Sequence, residues 1–318
     1  MRVEYLIGTP TGSVALGPAA LTIGAFDGVH LGHWRVLERT AELARQQEMG
    51  AVAVTFWPHP LEVLQPEPPV ELLATLDERL DLFTSVGLLD AVVVVPFTQA
   101  LADLDPEAFL DLLATFCEPR ALVEGVDFAL GKGRAGDIAF LRAAGESRGF
   151  AVEVLDVRHD GERISSTSIR SLVRAGNIDE ATTLLGHPYT VYGEVVSGDR
   201  RGRLLGFPTA NLRIDARKVL PANGVYAVRV RLPGEERASH AAVANIGVRP
   251  TFGGEPRLLV EVHLLDVTLD LYGLRVGVEF VARLREERRF NGVAELVAQI
   301  AADARQARDL LMEPPGEN

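Results

Sequence analysis

The chain has one cysteine in 318 residues, Cys117, which excludes an internal disulfide and any zinc site built from several thiolates. None of its seven histidines completes an HExxH pair. No apolar run approaches the ~18–20 residues that a membrane-spanning helix needs; the longest, such as 91–97, are strand-sized. A Walker loop, GxxxxGK[ST], is missing, and Gly131-Lys132-Gly133 does not supply one. The start of the chain lacks the basic stretch and apolar core of a secretory signal. Basic residues are scarce in the first part. Through Gly186 there are 14 Lys and Arg against 27 Asp and Glu, a net of −13, and beyond it 18 against 17, a net of +1. An acidic half repels a nucleic-acid backbone, although backbone amides and Mg²⁺ can still hold the phosphates of a small ligand. The expectation is a cytoplasmic enzyme acting on small molecules, with neither nucleic acid nor membrane as partner; oligomeric state is left open.

What is present fits two domains of an α/β chain. Hydrophobic residues make up 47% and charged residues 24%, the balance of a packed protein, and the length suits two folding units. Up to residue 186 apolar strand-like runs alternate with amphipathic helical stretches. Strands are expected over 20–26, 51–56, 91–95, 121–123 and 151–157, and helices over 34–47, 76–86, 106–116 and 168–185. That alternation predicts a parallel sheet covered on both faces. After His187 short β-rich runs at 190–196, 224–232, 238–246, 258–264 and 274–280 predict an antiparallel sheet or small barrel, closed by a helix over 293–311. The boundary is therefore set between 1–186 and 187–318.

Two motifs carry chemistry. Gly24-Ala25-Phe26-Asp27-Gly28-Val29-His30-Leu31-Gly32-His33 lies between the first strand and first helix, where glycines admit a ligand to the backbone and unpaired amides face phosphate. His30 and His33, three apart, can face one ligand and donate to phosphoryl oxygens as charge builds. An ordinary tight turn with capping histidines is the competing reading. Ile164-Ser165-Ser166-Thr167-Ser168-Ile169-Arg170 sets hydroxyls before an amphipathic helix, with Arg170 in its first turn, as helix capping or as an anion site.

Together, HxGH and ISSTxxR resemble the nucleotidyltransferase superfamily, and the wider pattern resembles the prokaryotic bifunctional riboflavin kinase/FAD synthetase family. The first part adds Thr55-Phe56-Trp57-Pro58-His59-Pro60, Glu124-Gly125-Val126-Asp127-Phe128, continuing to Gly136, and Leu185-Gly186-His187-Pro188-Tyr189. The second has Gly206-Phe207-Pro208-Thr209-Ala210-Asn211, Gly224-Val225-Tyr226, Asn245 to Thr251, Glu261-Val262-His263-Leu264-Leu265-Asp266 and Tyr272-Gly273. Ala129 and Leu130 depart from the polar residue and aromatic usual in that family, and Trp57 stands where a polar residue is common.

The resemblance implies a Rossmann-like adenylyltransferase domain followed by an antiparallel β-barrel riboflavin kinase domain with a terminal helix. It implies riboflavin, FMN and ATP as substrates, FAD as product, and Mg²⁺. In the first domain Gly24, Phe26, Asp27, Gly28, His30, His33, Ser165, Ser166, Thr167 and Arg170 would hold ATP and its phosphates. His30, His33 and Arg170 would be catalytic, and His59, Pro60, Asp127 and Phe128 are flavin-site candidates. In the second, Gly206, Pro208, Thr209 and Asn211 would bind ATP, Thr209 and Asn211 ligating Mg²⁺, with Glu261 as general base. The glycine-rich stretch 198–206 could cover the nucleotide. Two alternatives compete: a single-activity nucleotidyltransferase with a structural β-domain, and a non-catalytic flavin-binding module. The first leaves the PTAN and EVH segments without a purpose; the second leaves both phosphate motifs unexplained.

Overall fold

A computed structural model of the chain describes residues 1–5, 16–198, 202, 205–235, 238–249, 257–267 and 269–312. The chain divides into two compact units, Met1–Ser166 and Thr167–Asn318.

The first unit alternates strand and helix as its apolar runs predict. Its elements are β1 (Arg2–Tyr5), β2 (Pro18–Ile23), α1 (Leu31–Gln46), β3 (Gly50–Trp57), α2 (Pro60–Leu64), α3 (Leu76–Val86), β4 (Ala91–Pro96), α4 (Gln99–Ala102), α5 (Pro106–Ala114), β5 (Glu118–Gly125), α6 (Ile138–Arg148) and β6 (Ala151–Leu155), followed by the small hairpin β7 (Arg158–His159) and β8 (Glu162–Arg163). Strands β1 to β6 form one parallel sheet in the order β1-β4-β3-β2-β5-β6. Alternate residues feed two cores. Leu21, Val52, Val54 and Leu122 pack on one face with Leu113 and Leu141, while Ala20, Ala53, Val92 and Val123 pack on the other with Leu37 and Phe83. Burial on both faces is why these strands read as unbroken apolar runs. The strand order reverses between β2 and β5, so the crevice where such sheets bind ligands opens at the carboxyl ends of these two strands.

The second unit begins with helices α7 (Ser166–Ala175) and α8 (Ile178–Leu185). The single helix expected over 168–185 is broken at Gly176, whose φ of +80° ends α7. Strands β9 (Tyr189–Val196), β10 (Ala210–Ile214), β11 (Gly224–Arg231), β12 (His240–Arg249), β13 (Arg257–Leu264) and β14 (Arg275–Arg285) close into an antiparallel barrel, and helix α9 (Val293–Met312) follows. Ala304, Ala307 and Leu311 of α9 pack on Ala227 and Leu265, and Arg285 clasps the buried Asp303 at 2.8 and 3.0 Å. The α/β architecture, with parallel sheet, antiparallel barrel and terminal helix, is the one expected.

Candidate functional sites

In the first unit the turn after β2 enters the crevice with three residues at positive φ: Phe26 (49°), Gly28 (80°) and Val29 (38°). For a buried β-branched valine this conformation is costly and persists only where surrounding contacts impose it. Those contacts come from α3 and the segment leading into it. Both carboxylate oxygens of the buried Asp27 accept backbone amides, from Leu73 at 3.0 Å and Ala74 at 2.9 Å. Arg79, fully buried, donates through Nη1 to the Ala25 carbonyl, to Thr55 Oγ1 at 2.8 Å and to the Phe56 carbonyl at 3.3 Å. Phe83, one helical turn on, stacks edge-on against Phe26 at 5.5 Å.

Held this way, the turn delivers two histidines. His30 caps α1: its Nδ1 accepts the His33 amide at 3.3 Å, so in the neutral ring the proton lies on Nε2. The two rings stack at 3.6 Å with 13° between planes, and Phe26 meets His33 edge-on at 5.1 Å. Gly32 makes this possible, since a Cβ there would come within 3.0 Å of the His30 ring. Burial, then the neighbouring His30 and Arg79, holds the His33 imidazole well below its ordinary pKa. The His33 ring is therefore uncharged at neutral pH, and His30 is held as the cap of α1.

The second motif meets the first here. Ser166 Oγ, at the end of the first unit, donates to the Asp27 carbonyl at 2.9 Å, 139 residues earlier in the same unit. Ser165 precedes it, half-buried. In the second unit Thr167 is exposed and Arg170 half-buried, both in the first turn of α7. Around the loop after β5, Asp127 is exposed and ion-paired with Arg163, whereas Phe128 packs against the core. Leu130, the departure from the family pattern, is buried in that same core. His59 caps α2, accepting the Leu61 amide at 3.2 Å, with Pro60 in the helix's first turn and the Glu62 side chain returning to the His59 amide.

Sequence reasoning passed over Arg79 and Glu124. Glu124, at the carboxyl end of β5, is buried and accepts the Ile23 amide at 2.8 Å; burial raises its pKa well above the ordinary carboxylate range. In sequence both read as charged positions on ordinary elements, and only the packing shows them to be buried. Cys117 lines a separate cavity of about 510 Å³ with Leu110, Leu113 and Phe150, and burial pushes its thiol up to about 12, so it is no nucleophile.

In the second unit β-register does the assembly. Glu261 of β13 lies directly across from Asn211 of β10 and Asn245 of β12, which sets three polar residues in a row across adjacent strands. Their neighbours Val260, Val262, Leu212, Ala244 and Ile246 fill the barrel interior, so the row lies on the opposite face. Asn211 is nonetheless buried, and Gly198 lies against it: a Cβ at 198 would fall 2.1 Å from Asn211 Nδ2. The half-buried Thr209 sits two residues earlier, behind exposed Gly206 and Pro208. His263 donates from Nδ1 to the Pro208 carbonyl at 2.8 Å and meets Phe207 edge-on at 5.5 Å, locking the PTAN segment onto β13. A cavity of about 400 Å³ opens beside it, lined by Pro208, Thr209, Ala210, Val262, Leu271 and Tyr272. Residues 199–201, 203–204 and 250–251 of the expected motifs lie outside the described residues.

Residues 14–168 match the family model for FAD synthetase, and residues 185–311 that for riboflavin kinase. This chain belongs to the bifunctional riboflavin kinase/FMN adenylyltransferase family. It is 42% identical to the member from Escherichia coli K12, 37% to that from Listeria monocytogenes and 34% to that from Bacillus subtilis, each alignment covering 91% of both chains. Its fold is shared with a crystal structure from Streptococcus pneumoniae named a macrolide-efflux protein (TM-score 0.83, 30% identity, 97% of this chain and 99% of that one). Among the described residues no helix is long and apolar enough to cross a membrane.

Proposed function

We propose that the barrel unit transfers the γ-phosphoryl group of ATP to the 5′-hydroxyl of riboflavin, and that the sheet unit then transfers AMP from a second ATP to FMN, giving FAD and pyrophosphate. The observation that carries this reading is that each unit assembles its own phosphate-handling set: Ser166 joined to the HxGH turn in one, and Asn211 opposite Glu261 in the other. The modules are taken as 1–186 and 187–318, and the site of action as the cytoplasm.

In the kinase module Glu261 takes the proton of the attacking hydroxyl. Thr209 and Asn211 hold Mg²⁺·ATP, with Gly206 and Pro208 shaping the approach. Their oxygen donors suit Mg²⁺, which binds through few protein ligands and the substrate phosphates, and no cluster of three metal-ligating side chains exists among the described residues. When bound, Mg²⁺ supplies charge neutralisation at the phosphates.

In the transferase module the phosphate of FMN is the nucleophile, so no enzyme nucleophile is needed. His30 and His33 donate to the α-phosphate, and Ser165, Ser166, Thr167 and Arg170 hold the departing pyrophosphate. Gly24, Phe26, Asp27 and Gly28 shape the turn; Asp27 does so with a carboxylate already committed to backbone amides. His59, Pro60, Asp127 and Phe128 are assigned to the flavin side. Chromatography of flavins after incubation with riboflavin, ATP and Mg²⁺ tests the whole. FMN followed by FAD supports both sites. FMN alone leaves a kinase with a silent transferase module, and bound flavin with no product turns the chain into a binding module.

A further inference from the structure

Arg79 is the most deeply buried charge in the first unit, and no part of the reaction just described uses it. Only Nη1 of its guanidinium makes hydrogen bonds; Nε and Nη2 are buried with no partner among the described residues. Three acceptors on one nitrogen, drawn from β2's exit and the end of β3, fix the point where the positive-φ turn leaves the sheet. An incompletely satisfied guanidinium is expensive to bury, so a smaller apolar residue would serve packing alone at lower cost. The cation stays charged, since burial lowers its pKa only to about 10. The groups facing it are Asp27 in the turn and Glu62 on α2, and it acts in turn on His33, against which His30 stacks.

We propose that Arg79 is a positioning residue for His33 in adenylyl transfer: it fixes the turn that carries the imidazole and supplies a positive charge that acts on it. Besides Arg170 at the pyrophosphate, the site then has a fixed positive charge on a residue that does not touch substrate, while His33 presents an uncharged ring. This assignment rests on the proposed role of His33 and goes beyond it. A buried cation acting on the ring disfavours a second positive charge on it, so its removal raises the pKa of His33. A residue serving only to hold the fold would lower the amount of folded protein without changing that titration.

The test uses the full chain with Arg79→Met, Arg79→Lys and His33→Ala. Riboflavin phosphorylation by the other unit reports the amount of competent protein. In Arg79→Met, kcat for FAD formation from FMN should fall about 10²-fold, the scale of a reacting group displaced by about an ångström, with KM for ATP nearly unchanged. The histidine NMR titration of His33 should move to higher pH. Arg79→Lys, which keeps the charge but not the fork, should restore the His33 titration and leave kcat about tenfold below the parent's. An unchanged His33 titration in folded Arg79→Met, or a raised KM at unchanged kcat, overturns the proposal. If Arg79→Met does not fold, Arg79→Lys decides alone, and a kcat equal to the parent's overturns it. If His33→Ala leaves FAD formation intact, the site reading itself fails and takes this proposal with it. If His33→Ala suppresses FAD formation while Arg79→Met does not, this proposal alone falls.

Discussion

The two units solve the same problem, holding polyphosphate against an acceptor, with opposite structural means. In the sheet unit the reactive side chains ride on a strained turn. Its shape is imposed by the Leu73 and Ala74 amides that bind Asp27 and by Arg79 and Phe83 of α3. In the barrel unit no such support is needed, because strand pairing itself puts Glu261 between Asn211 and Asn245. A site on a turn is tuned by buried charges around it, whereas a site on register is tuned by the packing that closes over it. The first should respond to changes in buried electrostatics and the second to changes in volume.

The sharpest break of that comparison is reciprocal. Glu261→Ala removes the general base and should lower FMN formation by about 10²–10⁴-fold while leaving FAD formation from supplied FMN intact. His33→Ala should lower FAD formation by about 10²–10³-fold, the cost of one preorganised donor, and leave FMN formation nearly unchanged. Steady-state rates with riboflavin and with FMN as separate substrates measure both. Loss of both activities from either change, in a folded protein, would mean that the sites are not separate.

A subtler test exploits the closure over Asn211. Because a Cβ at position 198 would fall 2.1 Å from Asn211 Nδ2, Gly198→Ala must push that side chain off its place or lift the chain above it. With Asn211 assigned to Mg²⁺·ATP, the kinase should lose about tenfold in kcat/KM for ATP, roughly one strong hydrogen bond's worth, and FAD formation should not change. A kinase indifferent to this substitution would remove Asn211 from the ligand set.

How much of this could be read beforehand depended on what kind of information each element carries. The inner strands of the sheet were legible because they are buried on both faces and so run apolar from end to end, as in 51–56 and 91–95. β1, four residues of mixed polarity at the sheet's edge, carries no such pattern and was not anticipated. β10, five residues long, is absent from the strands expected of the second part, and its partners β9 and β13 decide it. The HxGH and ISST motifs were visible as residue types, but the bond joining them spans 139 residues and belongs to tertiary structure. Arg79 and Glu124 were invisible for a different reason: sequence periodicity assigns charges to the solvent side, and a charge selected for burial violates the very rule used to read it.

Glu124 offers the finest discrimination between the two kinds of site, since it should move stability with little effect on the barrel. β2 and β5 part at the switch point, and the Ile23 amide is satisfied by the Glu124 side chain. Burial raises the folded-state pKa of this carboxyl, with the amide bond opposing only in part. The fold therefore favours the protonated form. Below the ordinary carboxylate pKa of about 4.3 the group is neutral both folded and unfolded, and its contribution is fully present. As pH rises from there through the raised folded value, the unfolded state sheds its proton first and stability is lost. Glu124→Gln keeps an oxygen for the Ile23 amide and cannot ionise. Its thermal stability relative to the parent should be smallest in acid and grow steadily with pH, read by unfolding scans across that range. A gap that stays constant with pH would show that the carboxyl ionises in the crevice at little cost, and that charge beneath this site is not confined to Arg79.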